Sequence, residues 1–249
     1  MIGLLSTGLT ARHRQDETAA SAALDALPAA PAMALQVGRP EHLGSGRNLS
    51  SWTIVRAETV AHTEPAATSP IVATLATATA DQTPNALTVL GTRTDAGGQL
   101  WVRVGLPVLP NGTVGWVRRS SLGAYQTVST HLVVDRQRLL ATLYRNGAPI
   151  FRAPVGVGTD SWPTPAGQFT IRSQLTRYTS AFYGPVAFGT TARSAVLTDW
   201  PGGGFVGIHG TNEPQLIPGR ISHGCVRMRN ADILQLAALM PVGTPLTII

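Results

Sequence analysis

What most constrains this chain is a recurrence of short β-prone runs separated by turn dipeptides, set against a single segment of helical spacing in 249 residues. Leu87-Thr88-Val89-Leu90 is one such run, and Leu100-Trp101-Val102-Arg103-Val104 alternates as a half-buried strand does. Pro110-Asn111-Gly112-Thr113 then supplies an Asn-Gly pair that tolerates positive φ in a tight hairpin, leading into Val114-Gly115-Trp116-Val117-Arg118. Beyond Tyr125 three more strands are expected at His131–Val134, Arg138–Tyr144 and Pro149–Ala153, divided by Asp135-Arg136-Gln137 and Arg145-Asn146-Gly147. The one helix is expected after Asn230 as N-cap, with Asp232 in the first turn and Ile233, Leu236, Ala237 and Met240 at helical spacing until Pro241. The fold class is therefore mainly β, in two units with a short carboxy-terminal helix.

Composition divides the chain further. Residues 1–55 are rich in Ala, Ser, Gly and Pro without sustained periodicity, as a low-complexity tail or disordered linker is. Residues 53–80 hold only scattered Val and Ile among Thr and Ala, enough for an edge strand or nothing ordered. Over residues 60–123 the short strands, the Asn-Gly turn and the Gly115-Trp116-Val117 strand followed by polar residues and Leu122 resemble a bacterial SH3-like barrel, a generic small β domain being the alternative.

With 43% hydrophobic residues the chain can bury a core, and no window of about 18 uninterrupted apolar residues exists to span a bilayer as a helix. The net charge is +6 and every cation is Arg, but the arginines are scattered and not interleaved with aromatics, which argues against nucleic acid as a partner. An acidic wall polymer suits such a charge better. No export signal is identifiable: Met1–Thr10 lacks a preceding cation, and the Ala-rich stretch 19–35 is interrupted by Asp25, Pro28 and Pro31.

Cys225 is the only cysteine, which excludes an intramolecular disulfide and Cys-rich zinc frameworks. It is either a small buried hydrophobe or a reactive thiol. It lies in Ser222-His223-Gly224-Cys225-Val226-Arg227-Met228, and a thiol of ordinary pKa, about 8.5, needs a base or a positive field to attack near neutral pH. His209, sixteen positions upstream, ends the apolar stretch Phe205-Val206-Gly207-Ile208 and is one candidate base; His223 is the other. Gly224 lets the backbone turn so that main-chain N–H groups near Cys225 face an incoming carbonyl. A metal site of His209, His223 and Cys225 lacks an evident fourth ligand or carboxylate partner.

His209-Gly210-Thr211, followed by Gly219-Arg220-Ile221-Ser222-His223-Gly224-Cys225-Val226-Arg227-Met228 with Asn230 and Asp232, resembles the signature of the YkuD family of L,D-transpeptidases. Pro163-Thr164-Pro165-Ala166-Gly167-Gln168-Phe169 and Gly202-Gly203-Gly204 fit the same pattern, and the resemblance covers residues 126–249. It implies a β-sandwich-like catalytic domain there. It further implies Cys225 as nucleophile, His209 as proton acceptor and donor, and the Gly210 main-chain carbonyl, where relatives often have Ser, as the group orienting His209. Ser222, His223 and Gly224 would shape the oxyanion pocket, Ser222 also binding substrate, and Arg227, where some relatives have Asn, and Asn230 would contact the substrate carboxylate or support the residues around it.

The implied reaction is acyl transfer through a thioester, without a cofactor. The thiolate attacks the carbonyl after the third residue of a peptidoglycan stem tetrapeptide, the terminal D-Ala leaves, and the amine of a neighbouring stem takes the acyl group. Such work lies outside the cytoplasm, in the cell wall or a periplasm-like space. With water as acceptor the same chemistry is an L,D-carboxypeptidase. A stem-peptide cysteine endopeptidase of the NlpC type places its Cys before its His, the reverse of the order here. An inert wall-binding module would lack one of the two, and neither is missing.

Overall fold

The computed structural model describes residues 49–176, 180–197 and 203–249; residues 1–48, which carry most of the expected tail, and Gly202 lie outside them. The first seven strands are β1 (Ser50–Ile54), β2 (Thr59–His62), β3 (Ile71–Leu75), β4 (Ala86–Thr94), β5 (Leu100–Gly105), β6 (Val114–Arg118) and β7 (Gln126–Val128). They form one antiparallel sheet in the order β3-β2-β6-β5-β4-β1-β7. Three expectations are corrected here. The tail does not extend to residue 55, because Ser50–Ile54 is an inner strand held between β4 and β7, with Trp52 and Thr53 buried. Residues 53–80 contribute β2 and β3 as well as the end of β1, more than one edge strand. Residues 126–128, expected to open the second unit, pair with β1 instead. These segments are too short to show a period, and their strand state is fixed by distant partners. The Asn-Gly turn forms where expected, with Gly112 at φ +87° and the Thr113 N–H donating to the Pro110 carbonyl at 3.2 Å.

The second sheet has ten strands: β8 (Thr130–Asp135), β9 (Leu140–Arg145), β10 (Ala148–Pro154), β11 (Gly156–Gly158), β12 (Gly167–Leu175), β13 (Ala187–Arg193), β14 (Phe205–His209), β15 (Gly219–Ser222), β16 (Val226–Arg227) and β17 (Pro245–Ile248). Their order is β10-β9-β8-β17-β12-β13-β14-β16-β11-β15, with β8–β17, β14–β16 and β11–β15 parallel. The β9–β10 hairpin turns on Asn146 and Gly147, at φ +52° and +83°, the two positive values a two-residue type I′ turn requires. Between β8 and β9 the Asp135 carboxylate accepts the N–H groups of Gln137 and Arg138 at 2.9 and 2.8 Å, closing the expected turn.

The helix α1 (Asn230–Leu239) carries Asp232 in its first turn and buries Ile233 and Leu236, as its spacing predicts. Its N-cap, however, is Arg229, and no side chain caps it. Asn230 is already helical and its Oδ1 accepts the Thr211 N–H at 2.9 Å, so the capping oxygen is spent on a tertiary contact beside the histidine strand. The core between sheet and helix contains Leu132, Leu143, Ile171, Phe188, Ile208, Met228, Ile233, Leu236 and Leu246, each at most 1% exposed. Burial of each such side chain contributes roughly 1.5–3 kcal/mol.

The two sheets are joined by contact as well as by chain. Trp52 lies against Gly243, where a Cβ would meet the indole at 2.1 Å. The hydroxyls of Thr88 and Thr170 are hydrogen-bonded. Asn111, in the β5–β6 loop, donates to the Arg193 carbonyl at 2.8 Å and accepts its N–H at 3.0 Å.

Candidate active site

Strand β14 runs between β13 and β16, and its parallel register with β16 sets Ile208 beside Val226 and His209 beside Arg227. Cys225 immediately precedes β16. The pairing therefore brings it alongside Gly207, whose N–H donates to the Cys225 Sγ at 3.4 Å. This pairing closes the separation in the chain, and Cys225, His209, His223, Ser222 and Arg227 line one cleft.

The loop from Ser222 to Cys225 is held from within and from outside. Ser222, 2% exposed, donates its hydroxyl to the Cys225 carbonyl at 2.5 Å and accepts the Gly224 N–H at 3.1 Å. Gly224 sits at φ +118° with no close contact for a Cβ, so the backbone conformation, not space, calls for glycine. Its N–H is taken by the Ser222 hydroxyl. Its carbonyl accepts the Thr164 hydroxyl at 2.7 Å, and the same hydroxyl accepts the Gly158 N–H at 2.8 Å. Thr164 thus ties the cysteine loop to the end of β11. His223 is exposed and packs against Trp162, ring centroids 4.3 Å apart.

His209 is 2% exposed and its Nδ1 lies 2.6 Å from the Gly210 carbonyl oxygen. A carbonyl can only accept, so Nδ1 carries the hydrogen and Nε2 is left with a lone pair. Burial pushes the His209 pKa down to about 4, against the raising effect of that carbonyl and with a further lowering from the Arg227 charge. Burial pushes the Cys225 thiol up, opposed by the Gly207 N–H and by Arg227. At pH 7 the two groups rest as a neutral thiol and a neutral imidazole. Gly210 has a separate reason to be glycine: a Cβ there would meet the Asn230 Oδ1 at 2.4 Å and the Cα of Gly184 at 3.0 Å.

Arg227 is 5% exposed, pairs with Glu213 at 3.2 Å and holds its guanidinium 4.4 Å from the Phe182 ring centroid. Asn230, expected to contact the substrate carboxylate or to support the residues around it, lines neither cleft that contains Cys225, and its Oδ1 accepts the Thr211 N–H. Phe182 and Tyr183, in a one-turn helix before Gly184, cover His209 at ring separations of 6.0 and 4.8 Å. Sequence reasoning misses this pair because an aromatic dipeptide in a loop has no period. Thr164 was visible only as part of a family-like stretch, without a role.

The family model for the YkuD L,D-transpeptidase catalytic domain matches residues 129–248, and a Bacillus subtilis protein that bears the name L,D-transpeptidase YkuD is 31% identical over 122 residues, 49% of this chain and 67% of that protein. The chain belongs to the YkuD family of L,D-transpeptidases. Among solved structures, a mutant L,D-transpeptidase of Enterococcus faecium is similar at 22% identity and a TM-score of 0.39, over 48% of this chain and 49% of that one. The chain thus spans about half the length of the enterococcal protein. An L,D-transpeptidase from Mycobacterium smegmatis is 16% identical with a TM-score of 0.40, over 67% of this chain and all of that one, its coverage being 100%. The L,D-transpeptidase domain begins at the residue where the chain leaves the first sheet, between β7 and β8.

Proposed function

We propose that this chain cross-links peptidoglycan stem peptides outside the cytoplasm, through a thioester on Cys225. The observation that carries the reading is the one cleft lined by both Cys225 and His209, with Nδ1 of His209 bound to Gly210 so that Nε2 is the basic nitrogen. His209 takes the thiol proton as Sγ bonds to the carbonyl carbon at the L-centre of the third stem residue. The tetrahedral oxyanion is received by main-chain N–H groups, among which the amide of Cys225 itself is the candidate, since that of Gly224 is committed to Ser222. The C–N bond to the terminal D-Ala breaks, and the proton passes from His209 to the leaving amine. An amine of a second stem then attacks the thioester, the C–S bond breaks, and the proton returns to sulfur.

Neutral resting groups suit this order, because the proton moves as the S–C bond forms and no thiolate waits exposed to oxidants. Ser222, His223 and Gly224 shape the loop that presents the thiol, and Arg227 favours negative charge on sulfur. Asn230 acts at one remove, as a positioning residue for the Gly210-Thr211 backbone. Residues 60–123 enter as an SH3-like unit, with Trp116 on β6 between β2 and β5. No helix among the described residues is long and apolar enough to cross a membrane.

Incubation with purified disaccharide tetrapeptide, followed by mass analysis, tests the reading. Cross-linked dimer with loss of D-Ala is expected, and tripeptide alone would make the chain a carboxypeptidase. Cys225→Ala abolishes the covalent intermediate, and a persistent adduct in that variant would refute the nucleophile. His209→Ala slows acylation by roughly 10²–10⁴-fold, far more than His223→Ala.

A further inference from the structure

A second cleft adjoins the first, shares Cys225 and His209 with it, and is walled in part by Ala80 and Asp81 of the β3–β4 connection. Its floor carries Arg172, on β12, a cation that is only 7% exposed. The guanidinium lies over Phe205, 4.1 Å from the ring centroid, yet it makes no hydrogen bond and no ion pair among the described residues. Its neighbour Arg193, which covers the same ring at 4.8 Å, is instead committed to the Gly203 carbonyl. Asp81 is near enough to favour the charge of Arg172 but forms no ion pair with it. Buried charges are normally paired, because desolvating a lone one is costly. A buried arginine in a cleft, its planar fork unused among the described residues, is suited to receive a carboxylate.

We infer that Arg172 anchors the carboxylate of the amino acid whose nitrogen leaves from, and then attacks, the acyl group on Cys225. This rests on the reading of the site as an L,D-transpeptidase. In a thioester mechanism the leaving amine and the incoming amine visit the same side of the acyl group. In the first half-reaction the C–N bond to D-Ala breaks, and D-Ala carries its carboxylate on the carbon that bears the departing nitrogen. In the second, the amine at the D-centre of a diamino acid forms the new C–N bond as C–S breaks, and it too has a carboxylate on the carbon bearing the nitrogen. One arginine beside Cys225 therefore serves both steps. It selects an acceptor whose D-centre carboxylate is free over one in which that group is amidated.

The test is exchange of the terminal D-Ala of a disaccharide tetrapeptide for D-methionine or for D-methioninamide, which differ in the carboxylate alone. The wild-type chain is expected to prefer D-methionine by about tenfold or more in kcat/KM, the scale of one charge-assisted contact. Arg172→Gln should bring the ratio to within about twofold by raising KM for D-methionine, and Arg172→Lys should recover part of it. Equal use of both amines by the wild type, or an unchanged preference in Arg172→Gln, overturns the inference. If Arg172→Gln does not fold, the wild-type ratio and Arg172→Lys decide. A wild type that makes no acyl-enzyme with the tetrapeptide defeats the functional reading, not the anchor. The anchor is then read by saturation-transfer NMR on the full chain: D-methionine binding over its amide, lost in Arg172→Gln and kept in part in Arg172→Lys, supports it, and no such preference in the wild type overturns it.

Discussion

His209 shows how burial sets the chemistry of one residue. An exposed histidine of ordinary pKa, about 6.5, would be partly protonated at pH 6, whereas His209, pushed down to about 4, stays neutral and basic. The same shift makes stability depend on pH. Between pH 6.5 and 4 the unfolded chain binds a proton at this histidine that the folded chain refuses, so stability falls as pH falls through that window and is unaffected by this group above it. The full loss is about 3 kcal/mol from a shift of this size. Urea unfolding at pH 7 and pH 4.5 should show a smaller drop for His209→Gln than for the wild type. His131, whose pKa burial also lowers, contributes the same slope to both proteins and cancels in the comparison. An equal drop in the two would mean that the imidazole is not held neutral by the fold.

At the scale of elements, the site is a product of strand register and of one side-chain tie. The parallel β14–β16 pairing sets cysteine and histidine side by side, but β16 is only two residues long and cannot by itself fix the loop that precedes it. Thr164 supplies the missing constraint by joining Gly158 on β11 to Gly224. Thr164→Val keeps the shape and removes both hydrogen bonds, leaving two buried main-chain groups unpaired. A loss of about 1–3 kcal/mol per group is expected. Acylation of Cys225 should slow in the same variant, because the Gly224 carbonyl is then free to rotate. Stability loss without any change in the acylation rate would show that Ser222 alone holds the loop. The close approach of Gly184 to Gly210 is the other element-level device, since it keeps the carbonyl that orients His209 against the one-turn aromatic helix.

At the scale of the whole molecule, the two sheets act as one body around the second cleft. Trp52 is 5% exposed and belongs to β1, yet it packs on Gly243 of the loop before β17, with Ala86 and Val128 in the same small cluster. Trp52→Ala should cost about 3–5 kcal/mol, as removal of a large buried aromatic does. Calorimetry is expected to show a single transition for wild type and variant alike, lowered in the variant, because the cluster joins both sheets. Two separated transitions in the wild type would mean that the sheets unfold independently and that the Asp81 wall is not fixed by docking.

Local chemistry determined much of this protein in advance. The Asn-Gly turns, the strands from Leu87 to Ala153, the apolar spacing of α1 and the motif around Cys225 are all encoded within a few residues, and so were legible. β1, β2, β3 and β7 were not, because isolated runs of three to five residues become strands only when distant partners take up their N–H and C=O groups. For the same reason Asn230 gave a helix-cap signal that the fold diverted to Thr211. Tertiary structure alone decided that Arg172, without an ion pair among the described residues, shares a cleft with Cys225, that Thr164 ties the loop, and that burial holds the His209 pKa down. Each depends on what surrounds a side chain in three dimensions, and burial, unlike turn propensity, has no local code.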